Sequence, residues 1–438
     1  MAVPMWVVGV GMPLMLIATL LSGLPVAFSL SFVGTVTILL IWGPAAMTML
    51  PTASFSSIAS FILICVPLFL LIGENLIHSG ISDSAYDMMY KWLGRLPGGV
   101  AVATIATAAV FGAISGFAPA VCTIMGKMAL PEMLKRRYDK GLAAGCILGG
   151  AALDLLIPPS ILMVVLGFAS GESIGKLYFS GLSAGVMIVL MFVVYVVLRA
   201  ILQPKWCPVQ VEAPTWRERA GTLKNGLPLA AVILLILGTV FVGIATPTES
   251  AALGFWATLV LVFLYRKFKI RKMTNTLSMT AQFTAMLFMI VIGATLFSRA
   301  VAYSGIGEAL VSWITSLGWS PWLILIALQV LVLVMGCFMD AASIIFITIP
   351  FFMPIVKALG FDTFWFASVM MINLDLGTIT PPFGLNLFVL KAVAPPEMSM
   401  MDIIKGALPF ILIYVLAIVL AMVFPQIVLW LPNLMRTG

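Results

Sequence analysis

Apolar runs long enough to cross a bilayer recur along nearly the whole of this chain, and that recurrence decides most of what it can fold into. A spanning helix needs about 20 predominantly apolar residues. Here 62% of the 438 residues are hydrophobic and only 9% are charged, with mean hydropathy +1.18. The reading is an all-α polytopic membrane protein, with the lipid bilayer as its first partner. A transmembrane β-barrel would show short alternating segments, and VILLILGTVFVGI (232–244) does not alternate. The net charge of +7 does not point to nucleic acid, because the bases cluster in short loops between apolar spans, as in YRKFKIRK (265–272). A positive-inside bias explains them. Cys65, Cys122, Cys146, Cys207 and Cys337 have no paired spacing and read as small core residues, with no disulfide framework or metal cluster. The first span, from about Met5 to Leu21, lacks a basic leader and a clear cleavage site, and is expected to be retained.

Landmarks recur at a nearly constant interval. Pro158 in LDLLIPPSI and Pro381 in TITPPFGLN are 223 residues apart; Pro131 and Pro354, and Asp139 and Asp362, repeat that spacing. Pro25 and Pro247 are 222 apart, while the two SGI triplets at 79 and 304 and the glycines Gly181 and Gly406 are 225 apart. Six matches in order argue for two homologous halves. The basic segments YKWLGR (90–95) and LKRRYDK (134–140) of the first half correspond to segments of the second half that hold one lysine between them. If basic loops are cytoplasmic, the halves are inverted.

The expected threading starts outside, with helices near 5–22, 25–42 and 58–78 and a cytoplasmic loop at 80–96. A re-entrant hairpin follows at 97–134, broken at SGFAP (115–119), then a helix from about 140 to 169 interrupted at IPPS and a span at 180–200. A polar linker at 203–224 joins the halves. The second half has helices near 226–244, 249–265 and 278–300, a loop at 308–320 and a hairpin at 321–357 with its tip near FMDAAS (338–343). A helix broken at TITPP and a span at 404–430 complete it. Each proline pair removes two backbone donors and unwinds its helix. The freed carbonyls are tolerated at that depth only where protein, water or an ion satisfies them. Two broken helices, each facing a hairpin tip, make the architecture of a cation and anion site in a secondary transporter.

At these residues the chain resembles a known family, the large membrane (DctM-type) subunit of tripartite ATP-independent periplasmic (TRAP) transporters, within the wider ion-transporter superfamily. The carriers are VPLFLLIGENLIHSGI (66–81), GAISG (112–116), LIPPSI (156–161), TPTESAA (246–252), GCFMD (336–340) and TITPPFGLNLFV (378–389). The resemblance implies Na⁺-driven uptake of small organic acids (C4-dicarboxylate, sialic or sugar acid, or keto acid) by an elevator mechanism in the bacterial inner membrane. It implies a periplasmic substrate-binding protein and a small four-helix membrane subunit as partners. The matching organisation is a first inverted repeat at 1–205, with scaffold helices 1–57 and 180–205 around a transport part at about 58–170. A cytoplasmic linker at 206–224 leads to a second repeat at 225–438, with scaffold 225–276 and 404–431 and transport part about 278–395. A stand-alone Na⁺/dicarboxylate symporter or antiporter of the same superfamily is the alternative.

Candidate Na⁺ ligands are Ser115, Gly116, Pro158 and Ser160 in the first half and Asp340, Gly377, Thr378 and Thr380 in the second. Hard cations take oxygen ligands. A carboxylate at the depth of Asp340 is costly unless used or paired, with a helix end or Arg299 as the structural alternative. Ser115, Ser160, Thr380, Pro382 and Asn386 are substrate candidates, Asn386 either donating to a carboxylate or capping the second half-helix. The chain departs from the family at Phe117 and Ala118, where small hydroxyl residues are usual, and at Asp154, where a glycine is. Glu249 reads as a helix-start acid and Arg299 as an interfacial cation. GLSAG (181–185) fits a nucleophile pattern without its strand or a nearby histidine, and reads as helix packing. No enzyme activity is expected.

Overall fold

The structure, a computed structural model, describes residues 5–79, 81–208, 215–266 and 270–435. Every regular element among them is helical. Hydrocarbon imposes this, since a helix satisfies its backbone within one segment. Among the described residues five helices are long and apolar enough to cross a membrane, or up to seven if two bent pairs each count as one span.

The first half opens with α1 (Met5–Leu21) and α2 (Val26–Trp42), close to their expected limits. The next stretch, read as connection, forms a 3-10 turn and α3 (Met49–Ile58), leading into α4 (Cys65–Ser79). The expected loop at 80–96 holds α5 (Ile81–Leu93). Its polar residues alternate with apolar ones at helical spacing, and Asp87 and Lys91, one turn apart, pair at 2.8 Å. A short amphipathic helix satisfies its own backbone and still carries basic charge, which a charge count alone cannot distinguish from a loop.

Next come α6 (Gly99–Ser115) and α7 (Ala118–Lys135), two helices separated by two residues and packed on each other. The expected broken helix is α8 (Lys140–Ala151) and α9 (Ile161–Ser170), followed by α10 (Ile174–Leu202). α11 (Trp216–Phe241) starts inside the stretch read as linker. Its first turn is held by a capping box, Thr215 and Glu218 each bonding the other's backbone amide.

The second half continues with α12 (Pro247–Leu264), where Thr246 and Glu249 form another capping box, and with α13 (Ile270–Ser304). α14 (Ile306–Ser316) occupies the expected loop at 308–320, with an apolar face turned toward the core. A second hairpin, α15 (Pro321–Gly336) and α16 (Ala341–Ala358), precedes α17 (Thr363–Ile379) and α18 (Leu385–Val393), the second broken helix. The expected final span is two helices, α19 (Met400–Val423) and α20 (Gln426–Asn433), because Pro425 cannot continue the first.

The halves are joined through glycine. Gly141, Gly145 and Gly149 lie on one face of α8, and a Cβ on any of them would strike Gly406 or the Phe410 ring of α19, or come within 3.1–3.5 Å of neighbours there. Such a stripe lets helices approach closely where hydrocarbon supplies no hydrophobic drive. Gly181 serves likewise: a Cβ there would lie 2.6 Å from the Leu156 carbonyl at the first helix break. This is the packing role expected of GLSAG.

Candidate functional site

Both hairpin tips and both helix breaks meet around one cavity. At the first tip Gly116 has φ +58, a left-handed conformation that glycine adopts without steric cost, and its amide closes α6 on the Gly112 carbonyl at 2.8 Å. Pro119 sits in the first turn of α7, where its missing N–H is no loss. At the second tip Asp340 is the N-cap of α16, accepting from the Ser343 amide at 3.0 Å and from the Ser343 hydroxyl. The breaks lie between α8 and α9 and between α17 and α18, and in each the proline–proline peptide is cis.

The cavity has a volume of about 270 Å³. Gly116–Pro119 and Gly336–Ala342 form its two tips, Asp154, Leu155, Ile161 and Leu162 the first break, and Thr378, Phe383, Leu385 and Asn386 the second. Phe283, Met286, Leu287 and Ile290 of α13 close it. Close backbone contact lets each hairpin reach its broken helix. Gly336 and Gly377 face each other so tightly that a Cβ on Gly377 would lie 2.7 Å from the Gly336 Cα. In the first half a Cβ on Gly112 would lie 3.1 Å from the Asp154 Cα.

Of the candidates read from the sequence, Gly116, Asp340, Thr378 and Asn386 line this cavity. Ser115, Pro158, Ser160, Gly377, Thr380 and Pro382 do not line it. The Ser115 hydroxyl is turned to the Phe117 amide at 3.4 Å, and the Thr380 hydroxyl donates to the Leu376 carbonyl at 2.7 Å. Ser160 is buried and its hydroxyl has no partner among the described residues. Asn386 does not cap α18: its amide nitrogen donates to the Thr378 hydroxyl at 3.0 Å, which in turn donates to the Asp375 carbonyl at 2.7 Å. Its own Oδ1, fully buried, is left without a donor. Arg299 lies away from Asp340, in a separate cavity of about 280 Å³ with Thr295, Ser298 and Phe346.

Asp154 has a defined place. It lines the cavity, its Oδ2 accepts from the Ala118 amide at 2.8 Å at the start of α7, and its Oδ1 has no partner. It thereby ties the first helix break to the first hairpin tip. Sequence reasoning passes over Asp375, which is fully buried in α17 with neither carboxylate oxygen hydrogen-bonded. Its available signal is simply a carboxylate inside an apolar segment, which marks a functional position by default. Asn373 and Gln329 are also missed: the Asn373 amide donates to the Gln329 backbone oxygen at 2.6 Å and to its side-chain oxygen at 2.8 Å, joining α17 to α15. Amides are common in helices, and nothing local distinguishes these two.

Residues 14–427 match the family described as Tripartite ATP-independent periplasmic transporter, DctM component. The chain is 33% identical over 408 residues to the C4-dicarboxylate TRAP transporter large permease protein DctM of Pseudomonas aeruginosa, covering 92% of this chain and 94% of that one. It is 31% identical over 421 residues to the ectoine TRAP transporter large permease protein TeaC of Halomonas elongata, covering 96% and 97%. The sialic acid TRAP transporter large permease protein SiaM of Vibrio cholerae is 27% identical over 418 residues, covering 95% and 96%. Among solved structures, the Alcanivorax borkumensis YdaH transporter superposes with a TM-score of 0.62 at 16% identity, covering 92% of this chain and 98% of that one, a likeness of fold. Matched along almost its whole length, the chain belongs to the DctM component family of tripartite ATP-independent periplasmic transporters.

Proposed function

We propose that this chain is the large transmembrane subunit of a Na⁺-coupled secondary transporter that imports small organic acids. A periplasmic binding protein delivers the substrate, and a small four-helix membrane subunit completes the complex. One observation carries the reading: two hairpin tips and two helix breaks, far apart in sequence, converge on a single cavity. The substrates for which the relatives are named, C4-dicarboxylates, ectoine and sialic acid, include acids of the proposed class. Two inverted repeats are supported by the matched contacts Gly112 to Asp154 and Gly336 to Gly377, whose members are 224 and 223 residues apart. Elevator movement would carry the hairpins and broken helices together as one body.

The donor set suits Na⁺. Ser160 in the first half and Asn386 in the second each present a buried oxygen that no group among the described residues satisfies, and Asp340 is an exposed carboxylate on the cavity wall. A buried polar atom is seldom left unpaired, so such oxygens are positions where a water, an ion or a ligand is received. Ser160 with the carbonyls around Ser115, Gly116 and Pro158 would hold one ion; Asp340 with Gly377, Thr378 and Thr380 would hold another.

The test is uptake of labelled organic acid into proteoliposomes containing the chain and its small subunit, under an inward Na⁺ gradient, with and without the binding protein. Uptake requiring both, and abolished by Asp340→Ala, is expected. Na⁺-driven uptake without the binding protein would replace this reading with the stand-alone symporter.

A further inference from the structure

We infer that the molecule accepted by the cavity is a monocarboxylate with a ring-sized apolar body, a refinement that rests on the transport reading above. Two aromatic pairs carry it. Phe117 of the first hairpin tip meets Phe283 of α13 edge to face, with ring centres 6.0 Å apart, and Phe338 of the second tip lies 5.3 Å from Phe383 in the second break. All four rings line the same cavity, together with Met286 and Leu287. Phe117, Phe338 and Phe383 keep 43%, 63% and 57% of their surface exposed, so their faces are free to receive a guest. The 270 Å³ cavity is at the small end of ligand sites, which run from about 300 to 1,000 Å³. A single ring carrying one carboxylate fits within it, since about 150 Å³ already holds benzene.

Charge points the same way. No lysine, arginine or histidine lines the cavity among the described residues, whereas Asp154 and Asp340 do. One carboxylate can be received where α18 begins, at Leu385, a helix start with no side-chain cap, since helix N-termini favour anions. A second carboxylate would meet Asp154 and Asp340 with no basic side chain on the wall among the described residues. A polyhydroxylated acid is no better placed. Its hydroxyls need several partners, and the uncharged polar side chains on the wall, Thr378 and Asn386, are bonded to each other at 3.0 Å, leaving the Asn386 Oδ1 open as an acceptor. An apolar ring asks for none of these partners and finds aromatic edges and faces instead.

The experiment measures binding to the purified chain with its small membrane subunit in Na⁺-containing detergent buffer, using radiolabelled phenylacetate and scintillation proximity. Cyclohexylacetate, succinate and glucuronate compete. The binding protein is omitted, so the selectivity read belongs to the membrane cavity. Cyclohexylacetate is expected to compete at similar concentrations, and succinate and glucuronate only at concentrations at least tenfold higher, roughly one decade in Kd. Phe117→Ala and Phe383→Ala are expected to weaken phenylacetate binding by about 3- to 10-fold, the range of one aromatic contact. Should either variant elute as aggregate, Phe117→Leu and Phe383→Leu keep the bulk, and a smaller loss in the same direction is expected. Succinate or glucuronate binding as tightly as phenylacetate would overturn the inference, as would undetectable phenylacetate binding by the folded complex or unchanged binding in folded Phe variants. Each of those results leaves the Na⁺ and binding-protein dependence of uptake, measured separately, untouched.

Discussion

Replacing Gly377 by alanine adds one methyl group where two backbones touch. The new Cβ would lie 2.7 Å from the Gly336 Cα, 3.1 Å from its carbonyl carbon and 3.3 Å from its oxygen, against 3.4 Å at the start of ordinary contact. Restoring that contact to Cα requires the end of α15 to retreat about 0.7 Å, and no flexible side chain can absorb the movement. Overpacking of this kind costs about 1–3 kcal/mol. Alanine recovers up to about 1 kcal/mol through its helix propensity. With the full recovery the expected net loss is about 0–2 kcal/mol, with the second hairpin tip displaced from the broken helix and Na⁺-dependent uptake reduced. Gly11→Ala is the control, because Gly11 lies inside α1 and a Cβ there would have nothing within 4 Å; it should gain up to about 1 kcal/mol. The double variant Gly336→Ala with Gly377→Ala should lose more than the two single losses together, because both methyls point into one gap. Thermal stability of the detergent-solubilised complex, followed by fluorescence-detected size exclusion, ranks these variants. If Gly377→Ala matches Gly11→Ala in stability and uptake, the close approach of hairpin and broken helix is not what holds this site.

Two further substitutions test the polar ties. Asp154→Ala leaves the Ala118 amide without its 2.8 Å acceptor, at a cost of about 1–3 kcal/mol, while Asp154→Asn can keep that bond through its oxygen and should lose less than half as much; the same thermal assay separates them, and equal losses would refute the tie. Asn373→Ala removes both bonds to Gln329 between α15 and α17, leaving the Gln329 side chain buried and unpartnered, and should destabilise by about 1–3 kcal/mol. Asn373→Ala combined with Gln329→Leu should recover part of that loss, since it removes the stranded group, and no recovery would contradict the pairing.

As a family member this is a multi-pass inner-membrane protein, and much of its plan is local. Runs of apolar residues fix where helices form, because a chain in hydrocarbon must satisfy its backbone segment by segment. Pro158–Pro159 and Pro381–Pro382 fix where two helices must break, because proline lacks a donor wherever it sits. The helices α5 and α14 are not legible in this way: short, mixed-polarity segments read as loops until a neighbouring surface gives their apolar face somewhere to go.

The site divides along the same line. Sequence alone determines that a carboxylate stands at Asp340 beside a helix start, that Thr378 and Asn386 flank a proline pair, and that Phe117 and Asp154 occupy a hairpin tip and a helix break. Only the tertiary structure decides that Phe117 meets Phe283, that Asp154 ties a break to a tip, and that Thr380 and Ser115 are absent from the cavity lining. Propensity and hydropathy are properties of neighbours along the chain, whereas the cavity is made by residues up to 270 positions apart whose contact depends on glycines yielding the last ångström.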